Sequence, residues 1–307
     1  MSIERRAGLD AHRFIEEYVR ANKPVVVTDA LEGWGLPERW TPEQLATRFG
    51  DETVQVYNNY FDLVDLITLS DYLQRYCGET QSTEAFVPYV RWYAKLRDVE
   101  FDWADHVFDE MRSDWQRPYF LPHTDFLLPF APAPKTVNPA EDAFPGRGLF
   151  ISGPGAKTGL HVDPWGSDAI LCQLYGEKTW VIYGPDQASE VSDAAGCVDL
   201  DDPDTARFPL FHGSTPRYTF TVRPGDSVYV PRGWFHHVRS DTTSVSLSWN
   251  FVHAATAEPF FEWLASEPLA SDMEVIRFFL ADLVGPDASA ADVAEALRRG
   301  MNVQAGA

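Results

Sequence analysis

From Gly148 to Phe251 the chain is a succession of short runs in which apolar and polar residues alternate at every second position. A period of two marks a strand with one face buried. The runs are GLFISG, TGLHVD, DAILCQLYG, KTWVIYG, RYTFTV, DSVYV, WFHHVRS and SVSLSWNF, with turn-forming stretches such as YGEK, RPGD and SDTT between them. Eight short strands broken in this way predict an antiparallel sandwich or barrel. Upstream the pattern is mixed. Asp10 is placed to cap a helix running to about Asn22, and Lys23 to Ala30 reads as a buried strand. Thr41, Pro42 and Gln44 form a helix start with a capping box. Thr53 to Tyr57 and Ala85 to Tyr93 read as strands around a short helix from Ser70 to Gly78. The stretch from Arg97 to Phe144 is punctuated by prolines and reads as loops and short turns. After His253 the period becomes helical. Ser271 and Glu274 suggest a capping box, Met273, Ile276, Leu280 and Leu283 make an apolar stripe, and Gly285-Pro286 ends the run. Ser289 or Asp292 starts a last helix to about Arg299.

Composition fits this outline. The chain has 307 residues, 45% of them hydrophobic, which is ample for a core. Its 22 prolines and 20 glycines favour a loop-rich β protein over a helix bundle. The formal net charge of −21 argues against nonspecific binding to a phosphate backbone. The acidity serves solubility, or attracts a basic substrate. Three cysteines without a CxxC spacing predict free thiols and a reducing compartment. The first residues lack the apolar core of a signal peptide, and no run is long enough to span a membrane. These features predict a cytoplasmic protein.

The chemistry centres on TGLHVDPWG. Residues two apart on a strand share a face, so His161 and Asp163 project together. A later strand supplies His236 and His237. Two imidazoles and one carboxylate are the facial triad of non-haem iron(II) oxygenases, which leaves other coordination positions open. A polar wall accompanies it, because Ser246, Ser248 and Asn250 share one face of SVSLSWNF.

Two long blocks carry a family resemblance. GPGAKTGLHVDPWGSDAILCQLYGEKTWVIYGP and GDSVYVPRGWFHHVRSDTTSVSLSWNF resemble the JmjC branch of the cupin-fold 2-oxoglutarate oxygenases. KPVVVTDALEGWGLPERWTPEQL resembles the opening segment of its lysyl-hydroxylase subgroup. The resemblance implies a mainly β fold with flanking helices and a double-stranded β-helix (jelly-roll) core. It places the oxygenase domain, with an N-terminal helix-strand extension, at 1–253 and a helical segment at 254–307. It implies Fe(II), 2-oxoglutarate as cosubstrate and O2. The implied reaction hydroxylates a C–H bond of a peptide side chain or small molecule and converts 2-oxoglutarate to succinate. His161, Asp163 and His236 match the iron ligands, His236 because it directly follows Trp234-Phe235. His237 then points away. Lys178 matches the residue that holds the distal carboxylate of 2-oxoglutarate. Its alternation with Trp180 and Ile182 directs it inward, where a buried lysine needs a negative partner. Thr158, Ser248 and Tyr89 match polar cosubstrate positions. Thr158 has the opposite parity to His161, so this role needs a bulge or an approach from the strand's edge. Two other functions fit the same fold: a Zn(II) or Mn(II) isomerase or hydrolase, and a non-catalytic binding module. Lys178 and Ser248 argue against the first, and the intact triad against the second.

Two expectations concern partners. The run DLDDPD, Asp199 to Asp204, lies in a long connection that can border the barrel mouth. It reads as a solvated loop or as an attractant for a cationic substrate. The C-terminal stripe, with Phe278 and Phe279 beside it, reads as barrel packing or as a homodimer contact.

Overall fold

The computed structural model describes residues 2–34, 38–78, 86–93, 104–128, 148–266, 268–281 and 283–305. In chain order its strands are β1 (Arg5–Arg6), β2 (Val25–Val27), β3 (Thr53–Tyr57), β4 (Leu63–Thr68), β5 (Tyr89–Tyr93), β6 (Phe126–Leu128), β7 (Gly148–Ser152) and β8 (Lys157–His161). Then come β9 (Asp168–Tyr175), β10 (Lys178–Tyr183), β11 (Ser192–Asp193), β12 (Gly196–Cys197), β13 (Tyr218–Val222), β14 (Ser227–Val230), β15 (Phe235–Ser240) and β16 (Ser244–His253). The helices are α1 (Ala11–Phe14), α2 (Pro42–Phe49), α3 (Leu69–Tyr76), α4 (Asp105–Glu110), α5 (Ala188–Val191), α6 (Ala257–Ala265), α7 (Ala270–Phe279) and α8 (Ala290–Ala305).

The eight alternating runs are β7 to β10 and β13 to β16. They divide between two sheets. One has the order β13-β10-β15-β8; the other contains β14-β9-β16-β7 and is extended at both edges by strands of the N-terminal segment. The pairings within these two sets are antiparallel. This is the jelly roll, or double-stranded β-helix. β16 explains how one sheet serves two purposes. Val245, Leu247, Trp249 and Phe251 are buried in the main apolar core, together with Phe14, Tyr18, Trp40, Leu45 and Trp92 of the N-terminal segment. Ser248 and Asn250, on the opposite face, line a cavity between the sheets. The main core therefore packs on the outer face of this sheet, and part of the interior is left for polar chemistry.

Several local expectations are refined. The first helix is α-helical only to Phe14 and continues as a π turn, Ile15–Val19, that keeps Tyr18 and Val19 buried. The Thr41 hydroxyl accepts the Gln44 backbone N–H as its spacing predicts. Of the supposed loop region, 104–128 contains α4 and β6, and it buries Val107, Phe108, Met111, Trp115 and Phe120. The remainder of that region lies outside the described residues. Ser271 is not a cap: α7 starts one residue earlier, after Leu269. Ser289 and Asp292 do form a reciprocal cap, each accepting the other's backbone N–H, and α8 runs beyond Arg299.

Most of the C-terminal apolar stripe packs within the chain. Met273, Ile276 and Leu280 are buried against α6 and α8 in a cluster that also takes in Leu128, Trp165 and Val252. Phe279 packs on this cluster, while Phe278 and Leu283 remain exposed. Met273, Ile276 and Leu280 thus dock the C-terminal helices on the barrel. Among the described residues, no helix is long and apolar enough to cross a membrane.

One tight turn offers a test of the fold. Gly176, between β9 and β10, has φ +70°, and a Cβ there would stand 1.9 Å from the Thr243 carbonyl oxygen. Gly176→Ala is expected to cost about 2 kcal/mol or more, from backbone strain and the clash together. A urea melt should show a lower midpoint with an unchanged slope.

Candidate active site

The cavity between the sheets has a volume of about 350 Å³. His161, Asp163 and His236 converge in its wall, with one potential ligand atom of each lying within 4.8 Å of the others. The two imidazoles are cross-strand neighbours on β8 and β15, their ring centroids 4.1 Å apart. His236 Nε2 is 3.8 Å from Asp163 Oδ2.

The backbone fixes the chemistry of both rings. His161 Nδ1 lies 2.8 Å from the Gly159 carbonyl, and His236 Nδ1 lies 3.2 Å from the Trp234 carbonyl. A carbonyl oxygen only accepts, so each Nδ1 carries its proton and each Nε2 keeps a lone pair for a metal. Burial, and then the neighbouring His236 imidazole, hold the pKa of His161 well below the usual value. It therefore stays neutral, as ligation requires.

Asp163 is not on the strand. β8 ends at His161, and Asp163 precedes the short turn Pro164–Gly166. Its backbone is nevertheless extended, at φ −62° and ψ 144°, because the residue before a proline is driven into that region. Pro164 thus prolongs the direction of the strand past its last ladder hydrogen bond and keeps Asp163 on the side of His161. The next residue, Trp165, is left-handed at φ 46° and buried. Its N–H donates to Asp272 Oδ1 of α7 at 2.9 Å, and Gly166 lies so close to Trp263 of α6 that a Cβ would be 2.7 Å from that ring. The ligand-bearing turn is braced from the C-terminal helices, which also contribute Ser271, Asp272 and Val275 to the cavity wall.

Of the two routes open to Thr158, the structure shows the bulge. His236 pairs with His161, but Val238 pairs with Thr158, so β8 holds one residue more than β15 over this interval. The N–H of Gly159 donates instead to the Asn59 carbonyl at 2.8 Å, and a Cβ on Gly159 would meet that oxygen at 2.9 Å. Thr158 and His161 therefore both face the cavity. Lys178 lines it too. It is buried, no carboxylate among the described residues pairs with it, and burial pushes its pKa down to about 7. Ser248 lines the cavity, but its hydroxyl donates to the Ile170 carbonyl at 3.1 Å. That proton is already committed, which leaves the oxygen as an acceptor. Tyr89 stands behind the lining, its phenol beside Thr158.

His237 is directed away. It lines a second cavity on the other side of the strands, with Lys157, Cys197 and Arg207. The acidic run borders this second cavity rather than the first. Asp199 accepts the Tyr60 hydroxyl at 2.5 Å, and Asp201 pairs with Lys157 at 2.6 Å. His253 accepts the Ala255 N–H as a cap, and His212 is exposed.

Two wall elements escaped sequence reasoning. Arg91 projects into the cavity from β5, and Phe61 lies between it and His161. The signal was present in YVRWY, where Val90 and Trp92 are core residues and Arg91 alternates with them, but nothing in the sequence tells which face looks inward.

A jelly roll with a His-Asp-His cluster between its sheets defines a cupin-type protein. The chain belongs to the cupin-like domain family, whose model matches residues 11–257. Among its relatives, lysine-specific demethylase JMJ21 of Arabidopsis thaliana is 24% identical over 263 residues, 82% of this chain and 25% of its own length. The 2-oxoglutarate and iron-dependent oxygenase JMJD4 of Gallus gallus is 22% identical over 287 residues, 85% of this chain and 62% of its own length. The tRNA wybutosine-synthesizing protein 5 of Homo sapiens is 25% identical over 272 residues, 82% and 78% of the two chains. The chain thus spans a quarter of the length of the first of these and 62% of the second.

Proposed function

We propose that the protein is an Fe(II)- and 2-oxoglutarate-dependent oxygenase that hydroxylates a C–H bond of its substrate. The observation that carries this reading is the convergence of three ligand atoms, both imidazoles fixed as Nε2 donors, with a buried, unpaired lysine on the same cavity. The donor set of two nitrogens and one carboxylate fits iron(II). His161, Asp163 and His236 would hold it. Iron bound there supplies the dioxygen chemistry, with two electrons drawn from 2-oxoglutarate as it becomes succinate and CO2 and the second oxygen atom going to the substrate.

The chain's own residues bind and orient. Lys178 holds the distal carboxylate of 2-oxoglutarate by a charge-assisted bond in a desolvated wall. Thr158 offers a hydroxyl from the bulge beside it. Trp180, Leu171, Val230 and Val238 give the cavity dry walls, which exclude water from the reacting centre. A lysine for a dicarboxylate has no purpose in a metal isomerase or hydrolase. Hydroxylases and N-demethylases share insertion of oxygen into a C–H bond, and the demethylase adds loss of formaldehyde.

The test is turnover. Iron-loaded protein given 2-oxoglutarate and oxygen should form succinate, with a substrate screen read by its stimulation. Hydroxylation gives a product 16 mass units heavier without formaldehyde, by the mass of one oxygen atom. Stoichiometric iron without any succinate would sink the oxygenase reading.

A further inference from the structure

The cavity wall holds a second, half-buried cation that the proposed reaction does not use. Arg91 stands on β5 opposite Phe150 of β7, and four rings surround it. Its guanidinium carbon lies 4.8 Å from the centre of Phe61, 5.1 Å from Tyr93, 5.3 Å from Tyr57 and 5.6 Å from Phe150. No carboxylate among the described residues pairs with it, and its Nε has no hydrogen-bond partner. The rings keep the cation tolerable without an anion. The Tyr93 hydroxyl accepts from the guanidinium, which leaves Nε and the remaining N–H groups for a ligand, and the side chain is partly exposed on the cavity wall.

The two cations approach from different sheets. Lys178 is on the sheet of the histidines, and its partner Ser240 lies four residues from His236 on β15. That interval is about 13 Å along the strand, and a lysine side chain reaching back leaves a gap suited to a five-carbon diacid. Arg91 comes from the other sheet and is one ring away from His161, since Phe61 is 4.8 Å from each. With one carboxylate of 2-oxoglutarate taken up at the triad, a single carboxylate would remain for the two cations Lys178 and Arg91. An arginine cannot relieve its burial by losing a proton, whereas a lysine can.

We propose that Arg91 binds a carboxylate of the substrate, so that the enzyme acts on an organic acid or on a carboxylate-bearing side chain or terminus. This rests on the oxygenase reading and names the substrate class of that site. The guanidinium fork matches a carboxylate edge with two parallel hydrogen bonds. Four close rings favour a planar anion over a tetrahedral phosphate. The inference reverses the sign suggested by the acidic run, which borders the other cavity.

The experiment uses the full chain loaded with Mn(II) and saturated with 2-oxoglutarate, without oxygen. Propionate and its neutral isostere propionamide are titrated in by calorimetry. Propionate should bind saturably, at least about tenfold more tightly than propionamide, and without displacing 2-oxoglutarate. Arg91→Gln should remove this preference while the 2-oxoglutarate affinity changes by less than about threefold. Arg91→Lys, which keeps the charge and loses the fork, should bind propionate with intermediate affinity. Should Arg91→Gln fail to fold, the acid-against-amide comparison on the unaltered chain still decides. Equal binding of acid and amide, competition between propionate and 2-oxoglutarate, or a selective loss of 2-oxoglutarate affinity in Arg91→Gln each overturns the proposal. If 2-oxoglutarate itself does not bind the Mn(II)-loaded chain, the oxygenase reading falls first and takes this proposal with it.

Discussion

Lys178→Met should weaken 2-oxoglutarate binding at least about thirtyfold and at the same time make the ligand-free protein more stable. Lys178 is 5% exposed, has no carboxylate partner among the described residues, and titrates near 7 through burial alone. Its folded-state pKa therefore lies below its unfolded value of 10.5. Between these two values the unfolded chain binds a proton that the folded chain does not. The contribution of this group to stability therefore rises with pH through that window and is lowest below pH 7. Methionine removes the burden at every pH, by about 1–4 kcal/mol, the range seen when buried charges give way to apolar side chains. The gain in a urea melt should be larger at pH 6 than at pH 9. Binding has the opposite dependence on the lysine. Removing one partner of a buried charge pair should weaken 2-oxoglutarate at least about thirtyfold. In the unaltered protein the site must take up a proton above pH 7, so the Kd should rise about tenfold per pH unit there. Calorimetry of the Mn(II)-loaded protein at pH 6 and pH 8 reads this directly. A pH-independent Kd, or a Lys178→Met protein whose 2-oxoglutarate affinity is unchanged, would remove Lys178 from the site.

The second large effect separates two adjacent histidines. His236→Ala should lose iron(II) binding, and His237→Ala should keep it within about threefold. Both are on β15, so a general loosening of the strand would affect them alike. They differ in direction: His236 faces His161 and Asp163, and His237 faces the second cavity. Loss of a residue supporting a ligand commonly costs 10–100-fold in metal affinity, and loss of the ligand itself should exceed that. Equilibrium dialysis under anaerobic conditions is the measurement. Retained iron in His236→Ala together with loss in His237→Ala would reverse the assignment.

The barrel was legible in the sequence because its strands are amphipathic. Each of the eight runs alternates, turn residues divide them, and alternation survives whatever the strands pair with. The triad was legible for a related reason. Parity placed His161 with Asp163, and Pro164 preserves that parity after the strand has ended. What parity could not show was its own interruption. The bulge at Gly159 answers to the Asn59 carbonyl, a hundred residues upstream, so local alternation put Thr158 on the wrong face. Ser271 was misread in the same way. A local capping pattern was visible, but the helix starts at Ala270, before Ser271, and Asp272 of its first turn accepts the Trp165 N–H. Arg91 was hidden because a strand with aromatics on both faces does not announce which of them faces a cavity.

The brace on the ligand turn ties two regions that the chain separates by a hundred residues. Asp163 leads into a strained turn that Asp272 and Trp263 hold, and both lie beyond residue 257, where the match to the family ends. A metal that prefers the braced turn must then favour docked C-terminal helices, and docking must raise metal affinity by the same factor, because coupling between two sites is reciprocal. The same α7 supplies Ser271 and Val275 to the cavity wall. A substrate large enough to lever α7 outward would loosen the iron as it entered, and one that packed against α7 would tighten it. Substrate size and metal retention become two readings of one equilibrium, with the C-terminal helices as the element that moves between them.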